Sequence, residues 1–322
     1  MGSGASILDA IGNTPLVQLQ KMVPPNSARI LAKVEWANPT GSMKDRMAKA
    51  AIEAAEKDGR LEPGGIAVEY TAGTTGISLA FVCAAKGYGL KVVYSDAFTE
   101  EKRRTMQAFG ADIVDVPSDD KKITGSLIKE MIERSRRLSA EPGHWWVDQL
   151  TNRDAIHGYD ALGEEIWAQA AGQVDAFVHA VGTAHSIHGA SRALRRHGRD
   201  IHVCAVEPAE SAVLSGGPTG SHTIEGIGIG FVPPLWHADE VDEILPVATE
   251  EAKTMARRLA REEGLFAGTS SGANVAAALK VAKRLGPAAT VVTILCDSGL
   301  RYLSTDLYRT DGPSAGVRPL PR

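Results

Sequence analysis

The chain has 322 residues, 43% of them apolar, with 35 basic against 39 acidic side chains. That size holds two domains or one large one, and the apolar share is enough to fill real cores. The near-balanced charge offers no concentrated basic face for nucleic acid, and no apolar run reaches the ~18 residues of a membrane helix.

Cys83, Cys204 and Cys296 are scattered through apolar runs and read as buried thiols of a reducing compartment. No Cys/His spacing suggests a metal site. The first six residues read as a short leader, although Gly2 formally fits a myristoylation pattern, and no signal peptide is expected. Ile11-Gly12-Asn13-Thr14-Pro15-Leu16 is a turn into a short strand at 17–19, and 30–35 reads as a second strand. The stretch Asn38-Pro39-Thr40-Gly41-Ser42-Met43-Lys44-Asp45-Arg46 then leads into an alanine-rich helix at 47–56. Ser42 or Thr40 stands as the helix cap, with Lys44 in the first turn. The helix dipole disfavours an ammonium there, which lowers the lysine pKa and suits a nucleophilic amine. The plain alternative is a solvated surface lysine.

After the Pro63-Gly64-Gly65 turn, a strand at 66–70 runs into Thr71-Ala72-Gly73-Thr74-Thr75-Gly76 and a helix at 77–86. A strand, a small hydroxylated loop and a helix make an anion site; an ordinary βα turn capped by threonine looks the same. Strands at 90–94, 113–116 and 145–147 alternate with helices at 100–109 and 123–138. That alternation means a parallel sheet covered by helices, with sites at the carboxyl ends of strands. Gln149-Leu150-Thr151-Asn152 follows. His157 and Tyr159 read as helix-surface packing. A helix at 162–169 and an apolar strand at 175–181 lead to Gly182-Thr183-Ala184-His185-Ser186 and a helix at 190–197. This is a second strand, small-residue loop and helix.

A strand at 201–206 ends in Glu207-Pro208. In Gly226-Ile227-Gly228-Ile229-Gly230, a glycine at every second position means close backbone approach or a hinge. A nicotinamide reading fails because no strand leads into these glycines. A charged helix spans 248–263. Gly268-Thr269-Ser270-Ser271 opens a helix at 274–285, where Ser270 reads as a cap. A strand at 290–295 runs into Cys296-Asp297-Ser298, and 311–322 reads as a loose tail.

In this order the segments resemble the cysteine synthase (O-acetylserine sulfhydrylase) and cystathionine β-synthase family, fold-type II pyridoxal phosphate enzymes, over residues 7–308. The resemblance implies an α/β fold of two three-layer domains with mainly parallel sheets, like the tryptophan synthase β chain. A smaller movable domain would span 47–150; 1–46 and 151–310 would form the larger one. Lys44 would carry pyridoxal 5′-phosphate as a Schiff base and act as general base. Thr71, Ala72, Gly73, Thr75 and Gln149 would hold the substrate carboxylate, and Thr74 would lie by the cofactor 3′-oxygen. Gly182, Thr183, Ala184, His185 and Ser186 would wrap the phosphate. Gly226 would line the site, Ser270 would meet the pyridine nitrogen, and Asp297 would lie near it. A neutral hydroxyl at that nitrogen makes a weaker electron sink, favouring loss of a β-substituent over transamination.

Four positions depart from the family pattern. Ala72 replaces a serine and Thr74 an asparagine. Ala184 and His185 replace two glycines, so the loop avoids positive φ there or accepts strain. His185 either donates a charge-assisted hydrogen bond to the phosphate or turns to solvent. The implied reaction is β-replacement on O-acetylserine or a similar activated L-serine, through α-aminoacrylate, with sulfide or another nucleophile, giving L-cysteine. The alternatives are β-elimination from L-cysteine, a cystathionine or other β-substituted-alanine synthase, and a non-catalytic binding protein on this fold. The expected partners are a small amino acid and sulfide or a thiol. A cytoplasmic homodimer is expected, with no metal, nucleic acid or membrane.

Overall fold

The computed structural model describes residues 6–121, 124–198 and 200–309. The tail at 311–322, most of the leader and the expected helix start at 123 lie outside them. In chain order the first elements are β1 (Leu16–Gln18), β2 (Arg29–Val34), α1 (Lys44–Asp58), β3 (Ile66–Tyr70), α2 (Thr74–Lys86) and β4 (Gly89–Ser95). Next come α3 (Glu100–Ala108), β5 (Asp112–Val116), α4 (Gly125–Ser139), β6 (His144–Trp146), α5 (Asp154–His157) and α6 (Asp160–Gln169). The rest are β7 (Ala176–Ala180), α7 (His185–Arg195), β8 (His202–Pro208), β9 (Glu243–Val247), α8 (Thr249–Arg258), α9 (Thr269–Leu285) and β10 (Thr290–Leu295).

The strands form two sheets. A six-stranded sheet runs β1-β2-β10-β7-β8-β9, and a four-stranded sheet runs β5-β4-β3-β6. Every pairing is parallel except β1 with β2. Parallel strands are buried on both faces, which is why 176–180 and 290–295 read as mainly apolar runs, broken only by His179 and by Thr290 and Thr293. Successive residues face opposite ways. Ile30, Val178 and Val206 join one core cluster, and Leu31, Phe177 and Ala205 join the cluster on the other face. A third core, with Ile52, Leu79 and Tyr94, packs α1 and α2 on the four-stranded sheet.

Two features differ from the sequence expectation. Residues 243–247 form an edge strand, where Pro246 is tolerated because the outer side has no partner to lose. Tyr159 is fully buried in the core and does not lie on a helix surface, whereas His157 is exposed beside Asp160. The three cysteines are free and buried. Among the described residues no helix is long and apolar enough to cross a membrane, and no acidic, His and Cys group is arranged to hold a metal.

Candidate active site

The 38–46 stretch is laced to the end of β10. The Met43 N–H donates to the Cys296 carbonyl at 2.9 Å, and the Ser298 N–H to that of Gly41 at 3.1 Å. Ser42 and Asp297 form an isolated antiparallel bridge. Helix α1 begins at Lys44 itself, three residues before the expected start. Neither cap candidate is the N-cap, which is Met43, without a side-chain cap; Ser42 stands just before it, and its Oγ accepts the Lys44 N–H at 3.2 Å. Thr40 is engaged elsewhere, donating its hydroxyl and N–H to Asp45 at 2.6 and 2.8 Å. The Lys44 pKa is lowered, as the sequence suggested. Burial is the main cause, with Cys296 and Asp297 pulling the other way.

Asp297 is buried, and burial raises its pKa. Its Oδ2 accepts from the Tyr302 hydroxyl at 2.8 Å, and its Oδ1 has no partner. Ser270 lies in the first turn of α9, after the N-cap Gly268, so it is not the cap. Next to the site, burial pushes the Cys296 thiol up to about 12. A Cβ at residue 268 would sit 2.3 Å from Asp297 Oδ1, so only glycine lets α9 begin this close.

The 182–186 loop leaves β7 and enters α7. Ala184 takes φ 71°, so the strain anticipated at one replaced glycine is present, at about 1–2 kcal/mol. His185 is helical and escapes it. The side chain does not turn to solvent: it is 1% exposed, and burial lowers its pKa to about 3, so the ring is neutral and turned inward. Its Nδ1 meets Thr183 Oγ1 at 2.7 Å and its Nε2 the Asn152 carbonyl at 3.1 Å. His179, which the sequence reading left unmarked inside β7, meets Ser186 Oγ at 2.7 Å. It too is held neutral by burial, with a pKa of about 3 and the Lys44 charge adding to the effect. Both folded values lie below the unfolded 6.5, so the stability these rings contribute is complete above pH 6.5 and is lost as pH falls toward 3.

Gly226, Gly228 and Gly230 all have positive φ, at 86°, 61° and 85°. The Gly226 carbonyl comes so near Gly182 that a Cβ there would lie 2.5 Å from it. This is the close backbone approach expected of the alternating glycines. The Glu225 N–H donates to Thr269 Oγ1 at 3.0 Å, tying this loop to the start of α9. The Glu225 carboxylate accepts from Lys102 of α3, whose stem covers Gly73. That pair joins the 71–75 loop to the Gly226 loop and was not anticipated.

Helix α2 starts at Thr74, so the 71–75 loop presents the first N–H groups of a helix, which have no partner within it. Thr75 Oγ1 donates to Gln149 Oε1 at 2.9 Å, and Gln149 Nε2 donates to the Tyr70 carbonyl at 2.9 Å. Ala72 is exposed and Thr74 partly so. The Gln149 N–H in turn donates to Glu69 Oε2 at 3.0 Å. Glu69 is fully buried, and burial raises its pKa from 4.5 to about 8.

That shift sets a pH slope. Above pH 4.5 the unfolded chain has shed a proton that the folded chain keeps until about 8, so stability falls as pH rises through this window. In Glu69→Gln, urea midpoints measured against pH lose this slope. The amide gives up one acceptor, a constant cost that leaves the slope readable. Parallel curves for the two proteins would contradict the assignment.

The site therefore offers an amine of reduced proton affinity, a buried carboxylate oxygen without a partner, a buried serine in the first turn of α9 and two helix N-termini. A family model described as pyridoxal-phosphate dependent enzyme matches residues 7–297. The chain belongs to this family. It is 41% identical over 309 residues to a cysteine synthase of Staphylococcus aureus (strain Mu50 / ATCC 700699), covering 95% of this chain and 97% of that one. A cysteine synthase structure from Entamoeba histolytica matches with a TM-score of 0.89 and 37% identity, over 97% of this chain and 93% of that one. An O-ureido-L-serine synthase structure matches with a TM-score of 0.90 and 36% identity, over 98% of each chain.

The residues fit the cofactor of this family. Lys44 is a half-buried lysine whose charged form desolvation disfavours. The 182–186 loop opens an eleven-residue helix and suits a phosphate. Asp297 Oδ1 is a buried acceptor without a donor, and Ser270 lies in the first turn of α9, whose N-cap Gly268 packs against that oxygen.

Proposed function

We propose that this enzyme makes L-cysteine by β-replacement, taking O-acetyl-L-serine as the activated serine and sulfide as the nucleophile. The observation that carries the reading is the 41% identity to a cysteine synthase over nearly the full length of both chains. When bound, pyridoxal 5′-phosphate supplies the electron sink that lets bonds at Cα and Cβ break. The chain supplies placement and proton transfer. Lys44 Nζ takes the Cα proton and returns it after the nucleophile has added. Its lowered pKa leaves a larger share of the amine free to accept that proton.

The exposed N–H groups at the start of α2 bind the substrate carboxylate, with Thr71, Gly73 and Thr75 shaping the loop around it. Gln149, fixed by Tyr70 and Glu69, steadies Thr75 from behind. Ser270 meets the pyridine nitrogen as a neutral hydroxyl, Gly226 lets the backbone approach the cofactor closely, and the 182–186 loop takes the phosphate. Residues 47–150 form the part that closes over the substrate, and two copies assemble as a dimer. A reducing, cytoplasmic setting goes with three free, buried thiols.

A second reading, a synthase for another β-substituted alanine, draws on Ala72 and Thr74. They remove a hydroxyl and an amide from the substrate loop. Initial rates separate the two readings. Cysteine formation from O-acetyl-L-serine and sulfide should exceed both sulfide release from L-cysteine and product formation with other nucleophiles by at least ~10-fold, a barrier difference of ~1.4 kcal/mol. A faster reaction from L-cysteine alone would overturn the proposal in favour of elimination.

A further inference from the structure

The two hydroxyls of the 182–186 loop sit in opposite hydrogen-bond settings, each fixed by a buried histidine. Asn274 sets the first. Its Oδ1 accepts the Ala180 N–H at 2.7 Å, and its Nδ2 donates to the Ile294 carbonyl at 2.7 Å, so the amide cannot be turned over. The same Nδ2 lies 3.2 Å from His179 Nδ1. A donor faces that nitrogen, so it accepts, and in a neutral ring the hydrogen is on Nε2. His179 Nε2 therefore donates to Ser186 Oγ at 2.7 Å. Ser186 accepts there and keeps its own hydrogen to give elsewhere.

The second setting is the reverse. His185 Nε2 faces the Asn152 carbonyl at 3.1 Å, which can only accept. Its hydrogen is on Nε2, and the bare Nδ1 takes the Thr183 hydroxyl hydrogen at 2.7 Å. Turning Thr183 toward another acceptor would leave a buried imidazole nitrogen with no donor.

We propose that His179 makes Ser186, and not Thr183, the hydroxyl donor of this loop toward the cofactor phosphate. His179 is a positioning residue: it touches Ser186 and acts through it, while His185 holds Thr183 out of that role. A phosphate dianion accepts and does not donate, so only a hydroxyl with a free hydrogen serves it. The inference rests on the proposed assignment of the 182–186 loop to the phosphate.

The test is a titration of the cofactor-free protein with pyridoxal 5′-phosphate, read as an apparent Kd. Ser186→Ala raises Kd by ~10- to 100-fold, the loss of a hydrogen bond to a charged group. Thr183→Val raises it by less than ~3-fold. In a His179→Leu background the cost of Ser186→Ala shrinks, and His179→Gln, which keeps an N–H in reach, restores it; a merely structural histidine would show no such coupling. If His179→Leu does not fold, the Ser186 and Thr183 variants still decide the matter. Equal losses in those two would overturn the proposal while leaving the loop as the phosphate site. No loss in either would overturn the loop assignment as well.

Discussion

Lys44→Ala lowers kcat/KM for cysteine formation by at least ~10⁴-fold. A positioned general base alone is worth ~10²- to 10⁴-fold, and here one amine both holds the cofactor and moves the Cα proton. No neighbour can stand in. His179 and His185 sense the Lys44 charge, but both rings are neutral and committed to Ser186 and Thr183. Asp297 is tied to Tyr302, and the Cys296 thiol is pushed up to about 12. The variant folds as well as the parent or better, because alanine suits a helix start and a desolvated ammonium is removed. Turnover assays beside a thermal unfolding curve check both halves. Wild-type turnover in a folded variant would sink the role given to Lys44.

The second large effect concerns stability. Two residues after Lys44, Arg46 sits between two carboxylates. Its Nε and Nη2 donate to Glu35 at 2.7 and 2.8 Å, and its Nη1 and Nη2 donate to Glu165 at 2.8 Å each. Lys33 joins Glu165 at 2.7 Å, and Thr14 donates to Glu35 at 2.6 Å. The network ties β2, the start of α1 and α6 together behind the catalytic lysine. Arg46→Met leaves Glu35, fully buried, without its hydrogen-bonded cation, only Lys33 remaining nearby, and should cost about 3–5 kcal/mol. Urea unfolding measures it, and a loss under ~1 kcal/mol would contradict the account. The pH dependence carries a second signature. Arg46 holds the Glu165 pKa at about 2 against an ordinary 4.5, so its stabilisation is present above pH 4.5 and is lost as pH falls toward 2. That acid-side slope shrinks in the variant.

The strands were the most legible part of the chain. Residues 66–70 and 290–295 were delimited correctly because buried parallel strands are short apolar runs bounded by turn residues. Strand β9 was missed because Pro246 and Glu243 obscure its pattern, and only its edge position makes it possible. Helix starts were read too late at every site loop: 47 for 44, 77 for 74, 190 for 185 and 274 for 269. The cause is physical. These helices begin inside the small, hydroxylated loops so that their first N–H groups open onto the site, and such residues read as loop until packing is known.

The same limit applies to side chains. Lys44 and the two anion loops were marked by local pattern, with plainer readings beside them, whereas Ser270 reads locally as a helix cap and was marked only by the family resemblance. His179, Asn274 and the Lys102–Glu225 pair were not: Asn274 and Glu225 meet partners about a hundred residues away in sequence, and His179 reaches Ser186 only because β7 turns back through the loop into α7. His179 had one available signal, a lone imidazole in an otherwise apolar strand. His185 was marked with a solvent-facing alternative that its burial rules out, because a loop pattern does not reveal burial.

The most direct test of the central claim is the visible absorbance of the purified enzyme with pyridoxal 5′-phosphate, followed as O-acetyl-L-serine and then sulfide are added. The account predicts that O-acetyl-L-serine shifts the absorbance and that sulfide returns it to the starting spectrum as cysteine appears. A spectrum unmoved by O-acetyl-L-serine, but shifted by L-cysteine with release of sulfide, would contradict it.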